Sequence, residues 1–119
     1  MGEAFREIMR QARQHVPEWS ATQVNDALVN KQAERDDQDF VLVDVRERHE
    51  WNEGYIPGAV HVPRGHLESK IEEVVPDKSK KVVLYCAGGT RSLMAGNTLQ
   101  QMGYDNVVSM AGGFGQWKG

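Results

Sequence analysis

Two short apolar runs constrain this chain more than any other feature. Residues 40–45 (FVLVDV) form a nearly continuous β-branched stretch, and residues 82–85 (VVLY) form the most hydrophobic one. A strand with one wet face alternates apolar and polar side chains. A strand covered on both faces does not, and such strands belong to parallel sheets flanked by helices. Residues 59–62 and 107–110 read as two further short strands.

Helical spacing fills the intervals. Phe5, Ile8, Met9 and Ala12 give residues 1–16 one apolar stripe, and Pro17 ends it. Ser20 and Gln23 have the spacing of a capping box, with Trp19 and Val24 at the staple positions. That predicts a helix to about residue 31 with Val24, Ala27 and Leu28 inward, then a polar loop over 32–39. A short helix is expected over 47–53, ended by Gly54. Longer ones are expected over 67–75 (Leu67, Ile71, Val74 and Val75 inward) and over 92–102, where Gly103 suits the position after a helix. Residues 111–119 read as a glycine-rich turn with a last helical turn near Trp117. Alternating strands and helices predict an α/β layer architecture with a mostly parallel sheet. The 119 residues are enough for one domain and one core.

Charge and cysteine content exclude several classes. Fourteen basic against seventeen acidic residues give a net charge of −3 without a basic cluster, which argues against a nucleic-acid surface. No apolar run is long enough to span a bilayer. The charged N-terminus lacks a signal core, and Arg6 does not fit a myristoylation site, so the expected location is cytoplasmic. Cys86 is the single cysteine, which excludes an internal disulfide. The histidines at 15, 49, 61 and 66 show no ligand spacing, so neither a metal nor a cofactor is expected. Thiol chemistry here needs a second thiol from outside.

Cys86 follows a strand directly and precedes Ala87, Gly88, Gly89, Thr90, Arg91 and Ser92 at a helix start. Parallel sheets bind ligands at that edge. Gly88 and Gly89 permit positive φ, so a short loop can curl its N–H groups inward as an anion nest beside the helix terminus. A sulfur at its centre is favoured as the nucleophilic thiolate. Arg91 adds a permanent charge at the rim. A lone cysteine after an apolar strand is more often a buried hydrophobe. Adjacent glycines, an arginine and a fresh helix argue against that plain reading.

These residues resemble the rhodanese-like sulfurtransferase family, in its single-domain form. The resemblance rests on VLVDVRERHEW (41–51), GYIPGAVHVPRGHLE (54–68), VVLYCAGGTRS (82–92) and MAGGFGQW (110–117), with CAGGTRS fitting the loop pattern C-x-x-G-x-R-S. It implies a three-layer α/β fold, with a five-stranded mostly parallel sheet, helices on both faces, and a very short strand near Trp19. Residues 1–18 would then be an N-terminal helical extension and 19–119 the domain. The implied activity is transfer of a sulfane sulfur from thiosulfate or a related donor anion to a thiol or cyanide acceptor, a thiol protein among the candidates, through a persulfide on Cys86. Ala87 to Ser92 would form the cradle. Asp44 and Arg46 would support it, with Asp44 pairing a loop arginine, in first place Arg91; the plainer reading of the two is an ordinary strand-end ion pair. His61, His66, Trp51 and the 54–58 turn read as structural. The turn at Met110–Phe114 would pack beside the loop, with Phe114 and Trp117 at the entrance or in the core. Ala87 and Thr90 stand where some thiosulfate-specialised members carry basic residues, and a dianion prefers a more positive mouth. The alternative is a non-catalytic sulfur-carrier or regulatory module. A cysteine phosphatase or arsenate reductase fits less well, because phosphatases separate Cys and Arg by five residues whereas four separate Cys86 from Arg91.

Overall fold

The computed structural model describes residues 2–32 and 39–118. The loop expected over 32–39 lies almost wholly outside the described residues. In chain order the elements are α1 (Glu3–His15), β1 (Glu18–Trp19), α2 (Ala21–Gln32), β2 (Val41–Asp44), α3 (Arg48–Asn52), β3 (Val60–His61), a 3-10 turn (Arg64–His66), α4 (Leu67–Val74), β4 (Val82–Tyr85), α5 (Thr90–Gln101), β5 (Val107–Met110) and α6 (Gly113–Lys118). The five strands form one sheet in the order β1-β5-β4-β2-β3, and every pair is parallel. The short strand expected near Trp19 is β1, on the edge beside β5.

The sheet is buried on both faces, as the non-alternating runs require. Val43, Val82, Leu84, Cys86 and Val107 face one apolar layer with Leu67 and Ile71 of α4 and Leu99 of α5. Leu42, Val83, Tyr85, Val108 and Met110 face the other, with Val24 and Ala27 of α2. Successive strand residues point to opposite faces, so one strand feeds both layers. Each such Leu, Ile or Val contributes about 1.5–3 kcal/mol when fully buried.

Capping follows the sequence closely. The Ser20 amide donates to Gln23 Oε1 at 2.7 Å, and the Gln23 amide donates to Ser20 Oγ at 3.1 Å. Trp19 and Val24 share an apolar cluster. Gly103 has φ +99° at the end of α5. A second, unpredicted capping box joins Glu47 and Glu50 at the start of α3. α5 begins at Thr90, two residues earlier than expected, because Gly89 in left-handed conformation (φ +99°) serves as its N-cap. α1 packs on α5 through Met9, Ala12, Val16 and Leu93. The Val16 side chain packs directly on the α5 backbone there: a Cβ on Gly96 would lie 2.8 Å from Val16 Cγ1. No described helix is long and apolar enough to cross a membrane.

The strand order places the site. The chain leaves β2 for β3 on one side, then crosses back to β4 on the other. Open α/β sheets offer a crevice at the carboxyl ends of strands where the winding reverses. Cys86 is the residue after β4, next to that reversal.

Candidate active site

Cys86 is 1% exposed and continues the face of Val82 and Leu84. By that measure alone it is a packed cysteine. Its hydrogen bonds differ from those of a packing residue. The Gly89 amide donates to Sγ at 3.1 Å, and the Ser92 amide donates at 3.4 Å. Ser92 Oγ lies 3.6 Å from Sγ. Amides converging from an αL residue and a helix start form an arrangement that holds anions. Gly89 is buried, while Ala87 and Gly88 are exposed and their amides make no hydrogen bond among the described residues.

The expected glycine pair is only half used. Gly89 takes positive φ; Gly88 does not, and nothing lies within 4 Å of where its Cβ would stand. Gly88 therefore needs its freedom neither for φ nor for space. Two amides of the expected 87–92 cradle, those of Gly89 and Ser92, reach the sulfur.

A second glycine turn holds the loop from outside. Phe114 N–H donates to the Cys86 carbonyl at 2.7 Å, and Gly115 N–H donates to the Ala87 carbonyl at 3.1 Å. The first turn of α6 thus takes up the loop carbonyls. Gly113 sits at φ +60°, where a Cβ would come within 2.4 Å of the Cys86 carbonyl oxygen. Residues 110–114 do pack beside the loop.

The expected Asp44–Arg91 pair does not form. Asp44 is fully buried and binds Arg46 instead. The Arg46 amide donates to Oδ1 at 2.8 Å, its Nε to both oxygens at 3.0 Å, and its Nη2 to Oδ2 at 2.8 Å. A turn of two residues brings these donors to the carboxylate, so its acceptor sites are filled locally. Burial opposes the Arg46 charge, but the hydrogen bonds and charge of Asp44 outweigh it and hold the guanidinium above its ordinary pKa. Arg46 also donates to Gly54 O at 2.7 Å and lies 4.3 Å from the Phe114 ring centroid. The pair therefore touches the turn that grips the loop, without touching Sγ.

Arg91 takes Glu50. Its Nη1 donates to Oε1 at 2.8 Å and its Nη2 to Oε2 at 3.0 Å. Hydrogen bonds from Arg91, against the opposing effect of burial, bring the Glu50 carboxyl down to about 2. Glu50 also caps α3, donating nothing and accepting from the Glu47 amide at 2.9 Å. Sequence reading missed Glu50; its one signal was the Glu47–Glu50 capping spacing. Ser109 was missed as well. Its buried hydroxyl lies 2.8 Å from Ser92 Oγ, and a serine inside an otherwise apolar strand was the available signal.

The remaining residues are structural in geometry. His61 donates from Nε2 to the Arg46 carbonyl at 2.7 Å and stacks on Trp51, which stacks on Tyr55. His66 sits at the end of the 3-10 turn. Phe114 stacks between Tyr85 and Trp117 in the α2 layer. Tyr85 accepts the Ile56 amide at 3.1 Å, and burial raises its phenol well above the usual range, so the ring stays neutral.

A family model described as "Rhodanese-like domain" matches residues 25–119. The chain is 30% identical over 120 residues to a "Putative sulfur carrier protein" of Bacillus subtilis. That match covers 99% of this chain and 63% of the relative, so the chain spans less than two thirds of that protein. A "Putative sulfurtransferase" of the same organism is 39% identical over 83 residues, covering 70% of this chain and 78% of the relative. A "Thiosulfate sulfurtransferase" of Coxiella burnetii is 35% identical over 81 residues, covering 68% and 74%. Among solved structures, a Rhodopseudomonas palustris protein of unknown function, described as a "Possible Tyrosine Phosphatase", superimposes with a TM-score of 0.82 at 30% identity. That superposition covers 99% of this chain and 91% of the other.

Proposed function

This chain belongs to the rhodanese-like domain family, and on that footing we propose that it moves a sulfane sulfur from a donor to an acceptor thiol or cyanide through a persulfide on Cys86. The observation that carries the reading is the pair of amides, Gly89 and Ser92, aimed at Sγ. Relatives named sulfurtransferases cover two thirds or more of this chain and support the general class.

In the first half-reaction the Cys86 thiolate attacks the outer sulfur of thiosulfate. The S–S bond of the donor breaks, sulfite leaves with the bonding pair, and Cys86 carries the sulfur as an anionic persulfide. An acceptor thiolate then attacks that outer sulfur, and Cys86 leaves as thiolate. Charge and atoms balance without a redox partner. The amides of Gly89 and Ser92 hold the inner sulfur; the unbonded amides of Ala87 and Gly88 are the donors available to the outer one. Such preorganised dipoles stabilise charge without reorganising during the reaction. Asp44 and Arg46 are positioning residues in this account, acting through Phe114. A lone reactive thiol suits the reducing cytoplasm.

A carrier reading is favoured by one observation: Glu50 already neutralises Arg91, the loop's only cation. A carrier would be loaded by another protein and would not turn over a small donor. Steady-state kinetics decide between them. With thiosulfate and cyanide, parallel double-reciprocal lines and activity lost in Cys86→Ser are expected of the enzyme. Sulfur loaded once from a polysulfide, with no turnover of any small donor, would establish the carrier. The four-residue separation of Cys86 and Arg91 predicts no hydrolysis of p-nitrophenyl phosphate.

A further inference from the structure

Arg91 is bidentate on Glu50, so an anionic substrate reaching the loop meets a charge already matched. Other cations stand beside the loop, on the helix that precedes the family match. A pocket of about 320 Å³ lies between α1 and the start of α5, lined by Phe5, Arg6, Met9, Arg13 and Thr90. Thr90 opens α5 and follows Gly89, whose amide holds Sγ. Arg6 and Arg13 are seven residues apart, two helical turns, which places them on one face about 10 Å apart along the axis. Met9 lies between them.

Neither arginine has an ion-pair partner among the described residues, whereas Arg10 of the same helix is paired with Glu7. The Thr90 hydroxyl makes no hydrogen bond among the described residues. In a chain of net charge −3, two unmatched guanidiniums and a free hydroxyl sharing one pocket form a local reversal of sign. α1 is also fixed in register with the loop. Met9, Ala12 and Val16 pack on Leu93 of α5, and Gln100 donates to the His15 carbonyl at 2.7 Å.

We infer that this pocket is a subsite for carboxylate-bearing thiols, which α1 selects as sulfur acceptors over neutral ones. Two cations spaced along a helix suit an extended molecule with separated carboxylates better than a compact dianion. Phe5 and Met9 supply the apolar floor between them. The acceptor thiolate attacks the outer sulfur of the Cys86 persulfide, Cys86 departs with the bonding pair, and the proton of the acceptor thiol passes to solvent.

This inference rests on the sulfur-transfer reading, so its test separates the two. Cys86 is first loaded with polysulfide and checked by intact mass. Discharge rates are then compared for glutathione, which carries two carboxylates, and for uncharged 2-mercaptoethanol. In Arg6→Glu/Arg13→Glu, with both substitutions on exposed positions, the glutathione-to-mercaptoethanol rate ratio should fall by about tenfold, the scale of two partly screened charge contacts reversed. In the wild type that ratio should fall with added salt. S-methylglutathione, which cannot accept sulfur, should bind the unloaded wild type and not the double variant in calorimetry. Unchanged ratios with normal loading would overturn the subsite alone. Failure to load Cys86 would overturn the transfer reading, and the calorimetric binding would still decide the subsite.

Discussion

A buried carboxylate needs a donor for each oxygen, and Asp44 finds its donors two residues away. The amide and guanidinium of Arg46 close on it, and Arg46 in turn lies against Phe114 and Gly54. Removing one partner of such a pair leaves an uncompensated buried charge. Asp44→Ala should therefore lower unfolding stability by about 3–5 kcal/mol in urea titration; a loss under about 1 kcal/mol would show the pair to be dispensable. Glu50 and Arg91 make the contrasting pair, half-exposed and 41 positions apart. Glu50 titrates at about 2 against an ordinary 4.5. Its folded pKa is depressed, so its contribution is complete above about pH 4.5 and is lost as pH falls through 2. Glu50→Gln should cost about 1 kcal/mol at pH 7, and the gap to wild type should close in acid. The same variant frees Arg91 and should raise kcat/KM for thiosulfate about threefold to tenfold. An unchanged kcat/KM would mean that Arg91 does not meet the donor. Both residues of the buried pair were legible as candidates, and an ordinary strand-end ion pair was the plain reading; the family resemblance pointed Asp44 to Arg91 instead. Strand-end carboxylates carry no sequence mark saying whether they close locally or reach across the sheet, and nothing in residue type linked position 50 to position 91.

At the scale of elements, the site is a loop held between two helix starts. α5 supplies the Ser92 amide to Sγ, and α6 takes the Cys86 and Ala87 carbonyls. Gly113 is the point of closest approach. Its φ is +60°, and an added Cβ would lie 2.4 Å from the Cys86 oxygen and 2.5 Å from that of Ala87. Gly113→Ala should displace the loop, destabilising the fold by about 1–3 kcal/mol and slowing sulfur loading of Cys86. Loading at the wild-type rate would show that α6 does not set the loop geometry. The loop was legible because CAGGTRS follows an apolar strand and opens a helix. Its hold on α6 was only partly so: AGGFGQW shows a glycine turn, whereas carbonyl acceptors 28 positions upstream leave no trace in side-chain pattern. Gly88 illustrates the opposite error. A glycine suggests positive φ, yet of the loop's adjacent pair Gly89 adopts it and Gly88 does not.

At the scale of the whole molecule, burial pattern decided the architecture. Residues 40–45 and 82–85 lack alternation because helices cover both faces, and that single property implied a parallel sheet before any topology was known. β1 was less legible from pattern, since two residues carry no periodicity; the family resemblance, rather than the run itself, pointed to it near Trp19. The same sheet places Cys86 at the end of a central strand, where a sulfur is both packed and met by amides. That double character, 1% exposure with two amide donors, is the centre of the account. The direct measurement is the intact mass of the protein after incubation with thiosulfate or polysulfide, followed by removal of the excess. The wild type should gain one sulfur atom, lose it on addition of a thiol, and show no gain in Cys86→Ser. A wild type that gains nothing from either donor would contradict it.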